Sequence, residues 1–457
     1  MNKRFALLKK AVAAVLSVGL LLGLAACGTV SASQTPDAGS TPASHTSQTS
    51  AEANDAGEIT FWCNTYGDRA VQEQLLKELT EQFYEESGIR VRYSIIDWDQ
   101  SLTKMTLACT GGEAPDVYDI YFTSSLLAMG DEKCGLAPID DVIADLGEDQ
   151  YSEAGRTESF QNGHWYGLPW RADTRVMLYN KEFFADADIT EFPTTWEELF
   201  DAAEKLTVRD ANGNLERSGL LWNVGNGRFD QTWRCLLAGA GGSILDETYS
   251  RANFNSPAGV ESLGLMRAAI DEYGVMPATC IDPSFDPVAE FMAGKAAMVM
   301  GVGASTRQNI INMAPQMEDA IGAALIPSKD GTGNSSVASA ASFAAMKGPN
   351  LEEAKEFLRF LGRKDIMTKW AITLNMLNCS SEIMSDPYFS EDEWLRVFAQ
   401  QMNRAGNMDE PVPQFSQIDA WPNGPVPKMV TDVMAGVDVE TALAEGELAV
   451  NELLGAG

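Results

Sequence analysis

In the stretch NGHWYGLPWRADTRVMLYNK, residues 162–181, Trp165, Tyr166 and Trp170 lead into Arg171, Asp173 and Arg175 and then into an apolar strand. Aromatic rings offer flat apolar faces, while guanidinium and carboxylate groups make charge-assisted hydrogen bonds in fixed directions. Together at one strand entry they suit a polar ligand with apolar faces, and Trp170 is a candidate platform. In a strand, Arg171, Asp173 and Arg175 alternate onto one side. An ion pair among them therefore competes with direct contact to a ligand.

Strand ends supply the other candidates, because strand C-termini in an open α/β sheet face the ligand crevice. The first strands end at Asn64 and Tyr66, at Asp97 and Trp98, and at Thr123 and Ser124. Further along, Trp222 and Asn223 end a strand, and Asn226 and Trp233 follow in loop and helix. Each competes with a reading as a turn or core residue. Trp165, Trp196, Trp370 and Trp394 are expected to pack inside.

Much chemistry is excluded by composition. Formal net charge is −32, and residues 1–26 hold four basic and no acidic residues, so the rest carries −36. A phosphate backbone would be repelled, which excludes nucleic acid as a partner. Beyond residue 57 His164 is the only histidine, which argues against Ser-His-Asp and Cys-His catalysis and against histidine metal sites. Cys63, Cys109, Cys134, Cys235, Cys280 and Cys379 form no C-x-x-C pair, so no zinc site or other cofactor is indicated and no disulfide is assigned. No phosphate-binding glycine loop is present. Paired-carboxylate glycosidase chemistry is not excluded by counting acids alone.

The N-terminus locates the protein. Lys3, Arg4, Lys9 and Lys10 precede an apolar run from Ala11 that ends Leu24-Ala25-Ala26-Cys27. This reads as a secretory signal over 1–26, too short to span a bilayer comfortably. The Leu-Ala-Ala-Cys ending resembles the lipobox of bacterial lipoproteins, which implies diacylglyceryl attachment at Cys27. Two acyl chains hold a protein stably where one is marginal. Residues 27–57, rich in Ser, Thr, Ala, Gly and Pro, cannot bury enough apolar surface to order themselves. They predict a disordered tether with a reach of about 30 Å.

The remaining ~400 residues exceed one ordinary core. EITFWC, IRVRYSII and APDVYDIYF read as strands, with helices over DRAVQEQLLKELTEQFYEES and SLTKMTLACTGG between them. Strand–helix repeats with short turns predict a parallel α/β sheet. A second cycle opens at the capping box Thr195-x-x-Glu198. Pro257 and Pro287 start helices, KAAMVMG and IGAALIPS are buried strands, and the chain ends in helices.

In order along the chain, EITFW, GGEAPDVYDIYF, HWYGLPWRADTRVMLYNKEFF, FPTTWEELFDAAEKLT, FMAGKAAMVMG, ASFAAMKGPNLEEAKEFLRFL and VDVETALAEGELAVNELL resemble the family 1 extracellular solute-binding proteins of ABC importers. That group includes maltose-binding protein. The resemblance implies a type II periplasmic-binding-protein-like α/β fold of two lobes joined by hinge crossovers, without catalysis, closing on a carbohydrate in the interlobe cleft. It places the first lobe at 58–171 plus about 337–390, and the second at 174–333 plus about 391–457. It puts Asp173 where a hinge-strand acid binds sugar, and Trp421, in PVPQFSQIDAW, on a late cleft segment. MGVGAS, where the family often carries a Trp in a cleft loop, has no aromatic; this argues against a long stacked oligosaccharide. The expected protein is a monomer, lipid-anchored and facing outside, that serves the membrane subunits of a permease. A peptide, polyamine or anion receptor, and a lipid-anchored glycoside hydrolase, remain alternatives.

Overall fold

The computed structural model describes residues 57–130, 135–223 and 229–456. Cys27 and Asn226 fall outside them, as do the signal and nearly all of the tether.

The body opens with strand β1 (Glu58–Asn64), which buries Ile59, Phe61 and Cys63. Helix Arg69–Ser87 follows. Asp68 caps it, accepting from the amides of Ala70 at 2.9 Å and Val71 at 3.1 Å. Gly88 ends it at φ 77°, a left-handed turn that glycine takes without steric cost. Its inner stripe is Leu75, Leu76, Leu79 and Phe83. Strands β2 (Arg90–Ile96) and β3 (Val117–Ile120) then flank β1, both parallel to it.

Strands β4 (Phe160–Gln161) and β5 (His164–Trp165) form a small hairpin. β6 (Leu168–Thr174) then lies in the first sheet and β7 (Val176–Asn180) in the second, with Arg175 alone between them. Helix Trp196–Leu206 begins at the predicted capping box, and Trp196 is buried with its indole N–H on the Pro327 carbonyl at 3.0 Å. The hairpin β8 (Val208–Arg209) and β9 (Leu215–Arg217) precedes β10 (Leu221–Trp222). After it come β11 (Met298–Val302), β12 (Ile321–Ala324), β13 (Val337–Ala345), β14 (Leu377–Asn378) and β15 (Gly406–Asn407).

The first sheet runs β14-β6-β13-β3-β1-β2 with β15 added beside β13, and the second runs β10-β11-β7-β12. The sheets are mixed where a parallel sheet was expected. β13 is antiparallel to β3 and β6, and β7 is antiparallel to β11 and β12. β14 is also antiparallel to β6, and the other exceptions are the strands that have just crossed between sheets. A strand arriving from the crossover starts at the end where its neighbours finish, so it must run against them. β15 joins the first sheet from within the 391–457 stretch expected in the second lobe.

Each sheet has its own aromatic packing. In the first, Trp170 stacks on Phe343 with ring centres 5.0 Å apart, and Trp370 meets both edge-on. In the second, Trp222 and Trp233 are fully buried, beside Phe200 and Phe254 respectively. Cys63, Cys235, Cys280 and Cys379 are buried free thiols, and Cys109 is buried as well. No helix among the described residues is long and apolar enough to cross a membrane.

Candidate functional site

The crossover sets the geometry. Thr174 Oγ1 lies 3.0 Å from Ser336 Oγ and donates to the Val337 carbonyl at 3.0 Å, so the two segments that pass between the sheets are laced together. Asp173, on the last turn of pleat before the crossing, accepts from Arg171 Nη2 at 2.9 Å and Arg175 Nη1 at 2.7 Å, both on Oδ2. Burial would push this carboxyl up, but the two guanidiniums outweigh it and hold Asp173 below the ordinary carboxylate value. From the second sheet's side, Gln231 Oε1 accepts from Arg175 Nη2 at 3.1 Å. A Cβ at Gly303, in the loop after β11, would stand 3.6 Å from Asp173 Oδ1 and 3.8 Å from Arg175 Nη1. The cluster is thus walled by both sheets.

Aromatic rings line its other flank. The Arg171 guanidinium sits 5.4 Å from the Tyr66 ring centre and 5.6 Å from that of Trp98, within cation–π range. Tyr66 and Trp98 meet edge-on at 5.3 Å, and Trp98 meets Tyr121 at 4.9 Å. Trp98 donates its indole N–H to the Thr65 carbonyl at 2.6 Å and stays 37% exposed. An exposed indole fixed at its N–H, next to a braced carboxylate, can take an apolar ligand face and hydroxyls together.

Beneath them lies Asp119, fully buried at the end of β3. Its Oδ2 accepts from the Tyr66 hydroxyl at 2.7 Å and the Asn64 amide at 3.1 Å; Oδ1 accepts from Trp170 Nε1 at 2.9 Å. Burial raises its pKa to about 6 against the pull of these donors and of Arg171.

The structure sorts the predicted residues. It brings Tyr66, Trp98, Asp173 and Arg175 into one cluster, with Tyr66 covered and Trp98 open. Asn64 is not presented to a ligand. Its side chain donates to the Asp119 carbonyl at 2.8 Å and accepts from Ser101 at 2.5 Å, because its position in the pleat turns it inward. Trp170 is no platform here, since its faces are taken by Phe343 and its neighbours. Trp222 and Trp233 are likewise core residues, donating to the Met266 carbonyl at 3.1 Å and to Ser262 Oγ at 2.9 Å. Asn223, directly after β10, donates Nδ2 to the Gly301 carbonyl of β11 at 2.9 Å. Trp421 is 36% exposed, precedes a cis proline, and has no ring contact with the hinge cluster among the described residues. Thr123 is buried on Glu158. His164 sits at the surface on Asp140.

Sequence reasoning missed Tyr121, Asp119 and Gln231. Tyr121 directly follows β3, but the strand reads as running on to Phe122, so the exit rule falls on Thr123 and Ser124 instead. Asp119 hid inside a strand that reads as buried, and a lone helical glutamine carries no signal. Among the described residues, no group of three or more His, Cys, Asp or Glu is placed to hold a metal.

Several known proteins share this architecture. A family model described as bacterial extracellular solute-binding protein matches residues 67–368, more than half of the chain. A binding protein of Brucella abortus (strain 2308) is 26% identical over 353 residues, covering 76% of this chain and 82% of that protein. The diacetylchitobiose binding protein DasA of Streptomyces coelicolor is 28% identical over 193 residues, covering 42% of this chain and 41% of that one. The structure of an ABC transporter solute binding protein from Thermotoga lettingae, bound with α-D-tagatose, matches with a TM-score of 0.72 at 24% identity, covering 87% of this chain and 100% of that one. The fold is the two-lobe α/β fold of periplasmic binding proteins. With the family match spanning both sheets, this chain belongs to the bacterial extracellular solute-binding proteins, a family of binding proteins.

Proposed function

We propose that this protein is the receptor of an ABC importer, capturing a carbohydrate between its two lobes and delivering it to permease subunits in the membrane. The observation that carries the reading is the exposed ring of Trp98 beside Arg171, whose guanidinium is fixed on Asp173. A sugar has an apolar C–H face and a rim of hydroxyls, and this pairing of ring and braced carboxylate matches both. Trp98, Tyr121, Asp173, Arg175 and Gln231 face the ligand, with Trp421 closing from the late segment. Asn64, Tyr66 and Trp170 support them from beneath.

Charge balance favours a neutral sugar. Arg171 and Arg175 are both bound to Asp173, and the Asp119 carboxylate also acts on Arg171. Neither guanidinium of this cluster is therefore left over to pair a uronate bidentately. The first lobe comprises 58–171 plus about 337–390 with β15 added to its sheet, and the second 174–333 plus the rest of about 391–457. Cys27 carries the lipid anchor, the tether lets a monomeric body swivel outside the membrane, and no catalysis is needed.

A thermal-shift screen tests the reading. Neutral mono- and oligosaccharides, uronates, peptides and polyamines are each added to the soluble body. A true ligand at 100 times its dissociation constant adds about 2.7 kcal/mol. A shift with neutral sugars is the expected result, and a shift only with another class would replace the carbohydrate reading.

A further inference from the structure

The carboxylate beneath the site is better connected than a structural acid needs to be. Asp119 takes the Tyr66 hydroxyl at 2.7 Å, and the Tyr66 ring in turn carries Trp98 edge-on at 5.3 Å and the Arg171 guanidinium at 5.4 Å. The same carboxylate holds Trp170 Nε1 from the crossover strand at 2.9 Å. One buried group near the end of β3 therefore touches the end of β1 and the body of β6, the three strands that deliver the site.

We propose that Asp119 is a positioning residue of this site: by accepting the Tyr66 hydroxyl, its carboxylate sets the ring on which Trp98 and Arg171 rest, and Trp98 holds its ligand-ready position only while Asp119 is ionised. The role rests on the proposed ligand face of Trp98. The chemistry is local. Every side-chain and backbone group bonded to this carboxylate is a donor. A protonated Asp119 must itself donate, and Tyr66 Oη can receive it only by giving up its own donation to the acid. A proton on Oδ2 therefore reverses or breaks the Asp119–Tyr66 bond, and a proton on Oδ1, which displaces Trp170 Nε1, leaves Tyr66 a weaker, uncharged acceptor.

The titratable and charged groups around Asp119 are Cys63 and Tyr66 from the β1 end, Tyr118 and Tyr121 along β3, and Arg171 from β6. Burial pushes Cys63, Tyr66 and Tyr118 well up and Tyr121 to about 12, while Arg171 is held charged by Asp173 against its own burial. None of them changes charge in mildly acidic solution, whereas Asp119 titrates at about 6. His164 lies apart, against Asp140 and Tyr166.

Fluorine NMR of the whole folded body labelled with 5-fluorotryptophan tests the relay without any sugar. Its failure therefore leaves the carbohydrate screen to decide the function separately. Trp98→Phe and Trp170→Phe assign the two resonances. In the wild type both should move together between about pH 4.5 and about pH 8, with a midpoint near 6. In Asp119→Asn both should stay fixed. In Tyr66→Phe, which keeps Asp119 and serves if Asp119→Asn fails to fold, Trp170 should still titrate and Trp98 should not. A Trp98 resonance that ignores pH in the wild type overturns the proposal, and so does one that still titrates in Tyr66→Phe.

Discussion

Ser336 and Arg175 hold the two crossovers against each other: Ser336 Oγ donates to the Arg175 carbonyl at 2.8 Å and accepts the Arg175 amide at 3.3 Å. One hydroxyl thereby closes a ring with the single residue that separates the two sheets. The arginine it fixes is the one whose side chain meets Asp173 and Gln231. Crossover backbone and cluster side chain belong to the same residue, so a movement at the crossing carries the cluster with it.

Ser336→Ala removes both bonds and leaves a buried peptide group short of a partner, at a cost of about 1–3 kcal/mol. The variant should melt lower than wild type and bind ligand more weakly. Thermal melts with and without ligand separate the two effects.

Asp173 braces two arginines that are mostly covered. Asp173→Ala should therefore lose apo stability, about 3–5 kcal/mol where a buried pair loses one partner. It should also lose about 10- to 150-fold in affinity, the equivalent of one charged hydrogen bond. Asp173→Asn keeps an acceptor and should fall between the two in both measurements. Trp421→Ala removes a part-exposed ring and should change the apo melting temperature little while weakening binding.

Glu158 sets a pH trend in stability. It is enclosed by the first lobe's Thr123 and by Asp409 from the late segment, and Oε1 accepts both Thr123 donors, at 2.9 and 2.8 Å. Burial, with Asp409 adding to it, raises its pKa from 4.5 to about 8. Between these values the folded state binds more protons than the unfolded, so this group's contribution falls as pH rises from 4.5 to about 8. Its partial exposure moderates the size. Glu158→Gln should melt above wild type at the alkaline end and match it near the acid end, by calorimetric scans across that range.

Cys27→Ser tests the anchor. The variant should escape to the medium or periplasm, or stay unprocessed, with ligand binding intact. Fractionation that finds wild type and variant equally soluble and equally processed would remove the lipid anchor from the account.

What sequence could and could not reveal follows from the range of each interaction. The helix ending at Ser87 and the capping box at Thr195 rest on neighbours within four residues, so they were legible. So was the option of an ion pair among Arg171, Asp173 and Arg175, because alternate residues of an extended stretch share a side. Asn64 and Trp170 were misread because the contacts that claim them come from distant strands, through Asp119 and Phe343. Trp222 and Trp233 look like site aromatics until Met266 and Ser262 appear as their partners. Sheet direction was illegible in the same way, since β13 and β7 take theirs from the crossings and not from local pattern.

Calorimetric titration of malto- and chito-oligosaccharides into the wild-type body and Asp173→Asn tests the central claim most directly. The account predicts saturable binding of at least one neutral sugar to wild type, weakened about tenfold or more in the variant. It also predicts that this sugar shrinks the radius of gyration as the lobes close. A sugar that binds both proteins equally tightly, or a wild type that binds none of them, would contradict it.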